Sequence, residues 1–129
     1  MGIIKKYVEI IGSKKSKRVE ALLNSSAFRN YLPRVFKDGE SVNNLGFYIV
    51  EKDFKVILAD GTEKFGVRAR FDAIKIEDRI YKEPEAVIMD NLVEDAIIGS
   101  YLMQELGIIL HMAEGKVELR KAKPGAYLL

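Results

Sequence analysis

The sequence predicts an all-β fold, a sandwich or small closed barrel with one short late helix, and three observations predict it. Apolar residues alternate with polar ones in short runs. Ile74, Ile76 and Ile80 punctuate Lys75, Glu77 and Asp78, and Val117 and Leu119 flank Glu118. This two-residue period belongs to half-buried strands, and the β-branched content agrees with it. Turn formers separate the runs at Gly12-Ser13, Asp38-Gly39, Asn43-Asn44, Asp60-Gly61 and Glu114-Gly115. The prolines, Pro33, Pro84 and Pro124, all fall between candidate elements.

In chain order, strands are expected at 3–11 and 17–24, joined by a basic turn at 12–16. An irregular stretch follows at 25–44. Strands at 45–51 and 54–59 come next, and Asp60-Gly61 turns the chain back onto 64–71, as Asp-Gly pairs do in hairpins. A strand at 72–80 and shorter ones at 86–90 and 95–98 lead into the helix. Ser100 is placed to cap that helix, Leu102 and Leu106 share a face, and Gly107 suits the left-handed position after its end. A last hairpin pairs 108–113 with 116–121 around Glu114-Gly115.

Composition narrows the function classes. The 129 residues, 48% hydrophobic and 31% charged, suit one folded domain over 1–129. A net charge of +2 is too small to announce a nucleic-acid or membrane partner by itself. The absence of cysteine excludes disulfides, thiolate metal sites and thiol nucleophiles, and its simplest reading is a reducing, cytoplasmic home. The opening residues carry no apolar run long enough for a signal peptide or membrane span, so a soluble protein is expected. No cofactor or metal is implied. His111 stands alone in an alternating strand and reads as structural, and Asp90, Glu94 and Asp95 match no cation-loop spacing.

Two segments echo each other. Residues 19–25 and 93–100 both run from Val-Glu through an apolar triplet into small polar residues, by chance or through an internally duplicated fold. The first places Leu22-Leu23 before the polar triplet Asn24-Ser25-Ser26 and then Ala27. The second leads from Ile97-Ile98-Gly99 into the helix and the closing hairpin. Over 7–119 this order resembles the retroviral-type (retropepsin-like) aspartic proteases and their single-domain cellular relatives. The resemblance implies a small, closed barrel-like acid protease fold that acts as a homodimer.

In that family each subunit supplies Asp-Thr/Ser-Gly, usually followed by Ala, and the active site forms between two copies. By position, Asn24 falls on the catalytic Asp and Ser25 on the residue whose hydroxyl braces the two loops. Ser26 falls on the Gly, and Ala27 on the small residue beside substrate. Ile97-Ile98-Gly99 matches the segment packed beside that loop. The hairpin holding Ala59, Asp60, Gly61 and Thr62 resembles the flap that closes over substrate.

The departures govern the expected activity. Aspartic protease chemistry needs two facing carboxylates that share one proton. An amide has no useful basicity, and in a homodimer the replacement counts twice. Ser26 adds a side chain where glycine leaves room for close approach. The resemblance therefore implies an aspartic endopeptidase relative that does not cleave peptides but keeps a groove for an extended peptide. Asn24 is either a natural divergence or a substitution made for structural work on an active enzyme, and the second change at Ser26 favours divergence. Two neutral amides can also hydrogen-bond across a twofold axis where two carboxylates would repel.

A rival reading is a small β-barrel that binds nucleic acid. Lys14-Lys15-Ser16-Lys17-Arg18 supplies charge, and Tyr7, Phe47, Tyr48, Phe54, Phe65 and Phe71 supply rings, though mostly at positions that read as core. It ranks well below the protease-like reading. The apolar ends, Ile3-Ile4 and Ala126-Tyr127-Leu128-Leu129, suit strands of a shared interface sheet.

Overall fold

The computed structural model describes residues 3–123 and 126–128. Strands β1 (Lys5–Ile11) and β2 (Ser16–Leu23) form the first hairpin, with Val8 opposite Val19. Val19, Ala21 and Leu23 alternate inward, as the period-two pattern requires. The stretch read as irregular holds a short strand, β3 (Tyr31–Pro33), and a 3-10 turn at Val42–Leu45. The runs at 45–51 and 54–59 are one strand, β4 (Tyr48–Ile57), paired to β5 (Glu63–Arg70) with register shifts between Ile49 and Phe54. Bulges let the polar run Glu51-Lys52-Asp53 pass without ending the ladder.

The strand read at 72–80 is instead two, β6 (Ala73–Ile76) and β7 (Arg79–Lys82). They turn at Glu77-Asp78, where Glu77 takes φ +56°. β8 (Glu85–Met89), β9 (Ile97–Ile98) and helix α1 (Ser100–Leu106) follow. The closing hairpin is β10 (Ile108–His111) with β11 (Lys116–Leu119), and β12 (Ala126–Leu128) ends the described chain.

Ten strands make one sheet in the order β12-β7-β6-β1-β2-β9-β3-β8-β5-β4, curled as a half-barrel. β10 and β11 form a separate two-stranded sheet. In the main core Ile10, Leu23, Leu32, Phe71, Ile98 and Leu106 are wholly buried. β12 pairs with β7 of its own chain, which places it at one end of the sheet order. Pro124 and Leu129 lie outside the described residues. No helix among the described residues is long and apolar enough to cross a membrane.

Gly99, not Ser100, occupies the N-cap of α1, and Ser100 is its first helical residue. At the other end Gly107 takes φ +72°, as read from the sequence. The carbonyls of Leu106 and Arg120 both accept from the buried Arg79 guanidinium, which ties α1 and the tail of β11 to the sheet.

Candidate functional site

β9 enters the sheet parallel to β2 on one side and antiparallel to β3 on the other. Leu22 lies beside Ile97 and Leu23 beside Ile98, so the two echoing segments are neighbours in space. The loop at 24–27 therefore leaves β2 where β9 also ends. Asn24 N–H donates to the Ile98 carbonyl at 3.0 Å, which continues the ladder by one residue. The Asn24 side-chain oxygen accepts from Ser26 N–H at 3.0 Å, and the Asn24 carbonyl accepts from Ala27 N–H at 3.2 Å. Asn24 thus folds the turn with its own amide, which is why this residue type suits the corner.

The loop then serves the helix. Ser100 N–H donates to the Ala27 carbonyl at 2.7 Å, and Tyr101 N–H to the Phe28 carbonyl at 3.2 Å. These are helix-start donors that no turn of the helix can satisfy, so loop carbonyls replace a side-chain cap. The approach is close: a Cβ built on Gly99 would stand 2.3 Å from the Arg29 carbonyl oxygen. Only glycine fits there.

Asn30 was not singled out from the sequence, and it locks the arrangement. It is 7% exposed. Its side-chain oxygen accepts from Gly99 N–H at 3.0 Å, and its amide donates to the Glu85 carbonyl at 3.0 Å. Its own carbonyl accepts from Val87 N–H at 2.8 Å. Loop, helix start and β8 thus meet on one buried amide. The available sequence signal was an Asn directly before the apolar Tyr31-Leu32-Pro33.

The loop surface contrasts with its underside. Asn24 and Ala27 are half-buried, while Ser25 and Ser26 are exposed. Neither serine hydroxyl has a hydrogen-bond partner among the described residues. Ser26 also has an ordinary negative φ, since the positive values outside glycine among the described residues are at Glu77, Glu83 and Asn91. The backbone does not itself demand glycine at position 26.

The β4–β5 hairpin carries Ala59, Asp60, Gly61 and Thr62 at its exposed tip. Leu58 N–H donates to the Thr62 carbonyl at 2.8 Å, Gly61 takes φ +86°, and Thr62 N–H donates to the Asp60 carboxylate at 2.9 Å. The Thr62 hydroxyl, and then its N–H, hold the Asp60 carboxyl below its ordinary range. Register sorts the two faces of the hairpin. Phe54 and Val56 turn inward onto Tyr31, Val87, Met89 and Leu92, while Ile57 and Phe65 face outward, 66% and 60% exposed. Among the described residues no hydrogen bond or ion pair joins 59–62 to 24–27. Arg29, just beyond the loop, reaches the hairpin: its guanidinium lies 4.7 Å from the centre of the Phe54 ring.

The other candidate features resolve into local pairs. Lys15 meets Glu40 at 2.7 Å, and Lys17 meets Asp38 at 2.6 Å and Glu40 at 2.7 Å, so carboxylates answer much of the basic run. The Lys15 and Lys17 ammoniums pull the Glu40 carboxyl down to about 2. Of the six rings, Phe71 is buried and Phe47 and Phe54 are half-buried, but Tyr7, Tyr48 and Phe65 are exposed rather than core. Arg18 covers Tyr7 at 4.0 Å. In the acidic cluster Asp90 takes Arg34, Glu94 takes Lys5, and Asp95 accepts from Lys37 N–H. His111 Nε2 pairs with Glu118 at 2.7 Å.

No family model matches the sequence, and no curated protein does. Solved structures do match. One is a retropepsin-like aspartic protease from Rickettsia conorii, with TM-score 0.55 at 13% identity, covering 84% of this chain and 82% of that one. Another is the retroviral protease-like domain of Ddi1 from Leishmania major, with TM-score 0.56 at 11% identity, covering 92% of this chain and 89% of that one. The fold is retropepsin-like. At such identities the likeness lies in backbone arrangement. The retropepsin-like fold here carries Asn24-Ser25-Ser26-Ala27 at the end of β2.

Proposed function

We propose that the chain is a homodimeric peptide-binding relative of the retropepsins whose catalytic chemistry is silent. One observation supports the reading: on a retropepsin-like fold, the loop leaving β2 beside β9 presents the amide of Asn24, the residue that the sequence resemblance aligns with the catalytic carboxylate. Two copies of the loop would bring two neutral amides together. Neither can take a proton from water, and neither can donate one to a peptide carbonyl and recover it. Loss of a general base alone removes about 10²–10⁴-fold in rate, and loss of both members of a dyad removes more.

The exposed, unpartnered hydroxyl of Ser25 suits a brace between two loops, and the exposed tip at Ala59, Asp60, Gly61 and Thr62 suits a cover over bound peptide. Ala27, half-buried at the loop's end, forms the floor beside it. An extended peptide held there would be recognised by strand-like hydrogen bonds.

The test is reversion. Asn24→Asp, with and without Ser26→Gly, is assayed for peptide cleavage across acid pH. Wild type is expected to be inert and the double variant to cleave, with inhibition by a transition-state mimic. Cleavage by wild type contradicts the silent reading, and an inert, folded double variant contradicts the site assignment. Sedimentation at neutral pH adds a separate check, because amide pairing predicts a dimer at least as tight in wild type as in Asn24→Asp.

A further inference from the structure

Arg29 differs from the other guanidiniums around the site. Arg34 meets Asp90 at 2.7 Å, Arg68 meets Glu85 at 3.0 Å and Glu51 at 3.4 Å, and Arg70 meets Glu85 at 3.7 Å. Arg29 has no carboxylate and no hydrogen-bond acceptor among the described residues. Its guanidinium rests on the Phe54 ring at 4.7 Å, and Arg68 stands over the same ring at 5.6 Å. A half-buried cation without a counter-charge is unfavourable, and this one keeps five N–H donors unused.

Position gives that donor set a use. Arg29 lies two residues beyond Ala27, and Phe54 sits on the inward face of the hairpin that carries the tip. The guanidinium therefore reaches from the loop's end to the hairpin, and Arg29 also lines a cavity of about 310 Å3. Phe28 and Tyr101 form one wall of it, with ring centres 5.5 Å apart. Contact with the Phe54 ring limits the motion of the fork, so less freedom is lost when it pairs with a planar anion. Two glutamates also line the cavity. Glu85 is already engaged by Arg68 and Arg70, and Glu83 stands on an exposed turn at φ +56°. The unanswered charge at the loop end is positive.

We propose that Arg29 and Phe54 build a subsite for an acidic side chain of the bound peptide, whose Glu or Asp carboxylate takes the paired N–H donors of Arg29. The proposal rests on the peptide-groove reading above. A neutral Gln side chain of the same length gains a weaker hydrogen bond, and a Lys side chain meets like charge.

The test uses fluorescein-labelled octapeptide pools with one position fixed as Glu, Gln or Lys and the rest randomised, the fixed position being moved along the peptide. Fluorescence anisotropy with wild type is expected to show, at one position, Glu binding about tenfold or more tighter than Gln, and Lys weakest. Arg29→Gln should erase the preference, Arg29→Glu should turn it towards Lys, and Arg29→Lys should keep its sign with reduced size. The Lys variant, which preserves charge and bulk, guards against a fold defect. Equal binding of Glu and Gln pools to wild type overturns the subsite and leaves the groove standing, as does a preference that survives in folded Arg29→Gln. Failure of every pool to bind wild type overturns the groove reading and this proposal together.

Discussion

The loop at 24–30 and the hairpin tip at 59–62 are both short turns leaving strands of the same sheet, yet they are held in opposite ways. The loop's backbone groups are taken up by distant elements: Ile98, Ser100, Tyr101 and Val87 all bond to it, and the Asn30 side chain joins Gly99 to Glu85. The tip is satisfied from within, by Leu58, Asp60 and Thr62, and is exposed throughout. Rigidity in this molecule follows from where the bonding partners come from rather than from turn type. A loop bonded to three elements opens only when they separate, whereas a self-contained turn on an exposed hairpin moves with little loss of contact. That division suits a fixed floor under a movable cover.

The sharpest way to break the contrast is Asn30→Leu. It removes one buried and one part-buried hydrogen bond, from the Gly99 N–H and to the Glu85 carbonyl, so unfolding free energy in urea is expected to fall by about 3 kcal/mol. Next comes Gly99→Ala, whose Cβ would collide with the Arg29 carbonyl oxygen at 2.3 Å. A loss of about 2 kcal/mol is expected from overpacking, again by urea titration. At the tip, Gly61→Ala meets no neighbour within 4 Å and is opposed only by its φ of +86°. It should cost about 1 kcal/mol by the same urea titration. Equal costs at Gly61 and Gly99 would dissolve the distinction.

Legibility followed the same division. Asp60-Gly61 announces its turn in two adjacent residues, and the run through Leu22-Leu23 into Asn24-Ser25-Ser26 announces a strand end. Gly107 declares the end of α1 by its conformation. Asn30 was invisible because its partners lie 69 and 55 residues away, and no local pattern encodes a contact at that range. β3 was hidden for a related reason. Its three residues show no alternation and are strand because β8 lies parallel on one side and β9 antiparallel on the other. Lys52-Asp53 fell in a gap between the expected strands 45–51 and 54–59 because a bulge exposes consecutive polar side chains and breaks the alternation. Ser100 looked like a cap because Ser usually is one, but the Ala27 and Phe28 carbonyls had already filled that role.

The smallest effect in this set concerns pH and the β1–β2 turn, far from the site. Glu40, held at about 2 by Lys15 and Lys17, has a folded pKa below its ordinary 4.5. Its contribution is complete above the ordinary value and fades as pH falls from there towards about 2. Thermal unfolding of wild type should weaken over that window by slightly more than that of Glu40→Gln. Parallel curves would show that the triad with Lys15 and Lys17 does not persist in solution.

The absence of cysteine allows the decisive measurement. The account requires Asn24 to face its own copy across a twofold axis, within the 4.4–6.8 Å Cα separation, roughly, that a disulfide spans. Asn24→Cys, oxidised mildly at low concentration and run on a non-reducing gel, is predicted to convert to a covalent dimer, while Asp53→Cys on the bulged strand stays monomeric. A folded Asn24→Cys protein that crosslinks no faster than the Asp53 control would place Asn24 away from any partner and contradict the account.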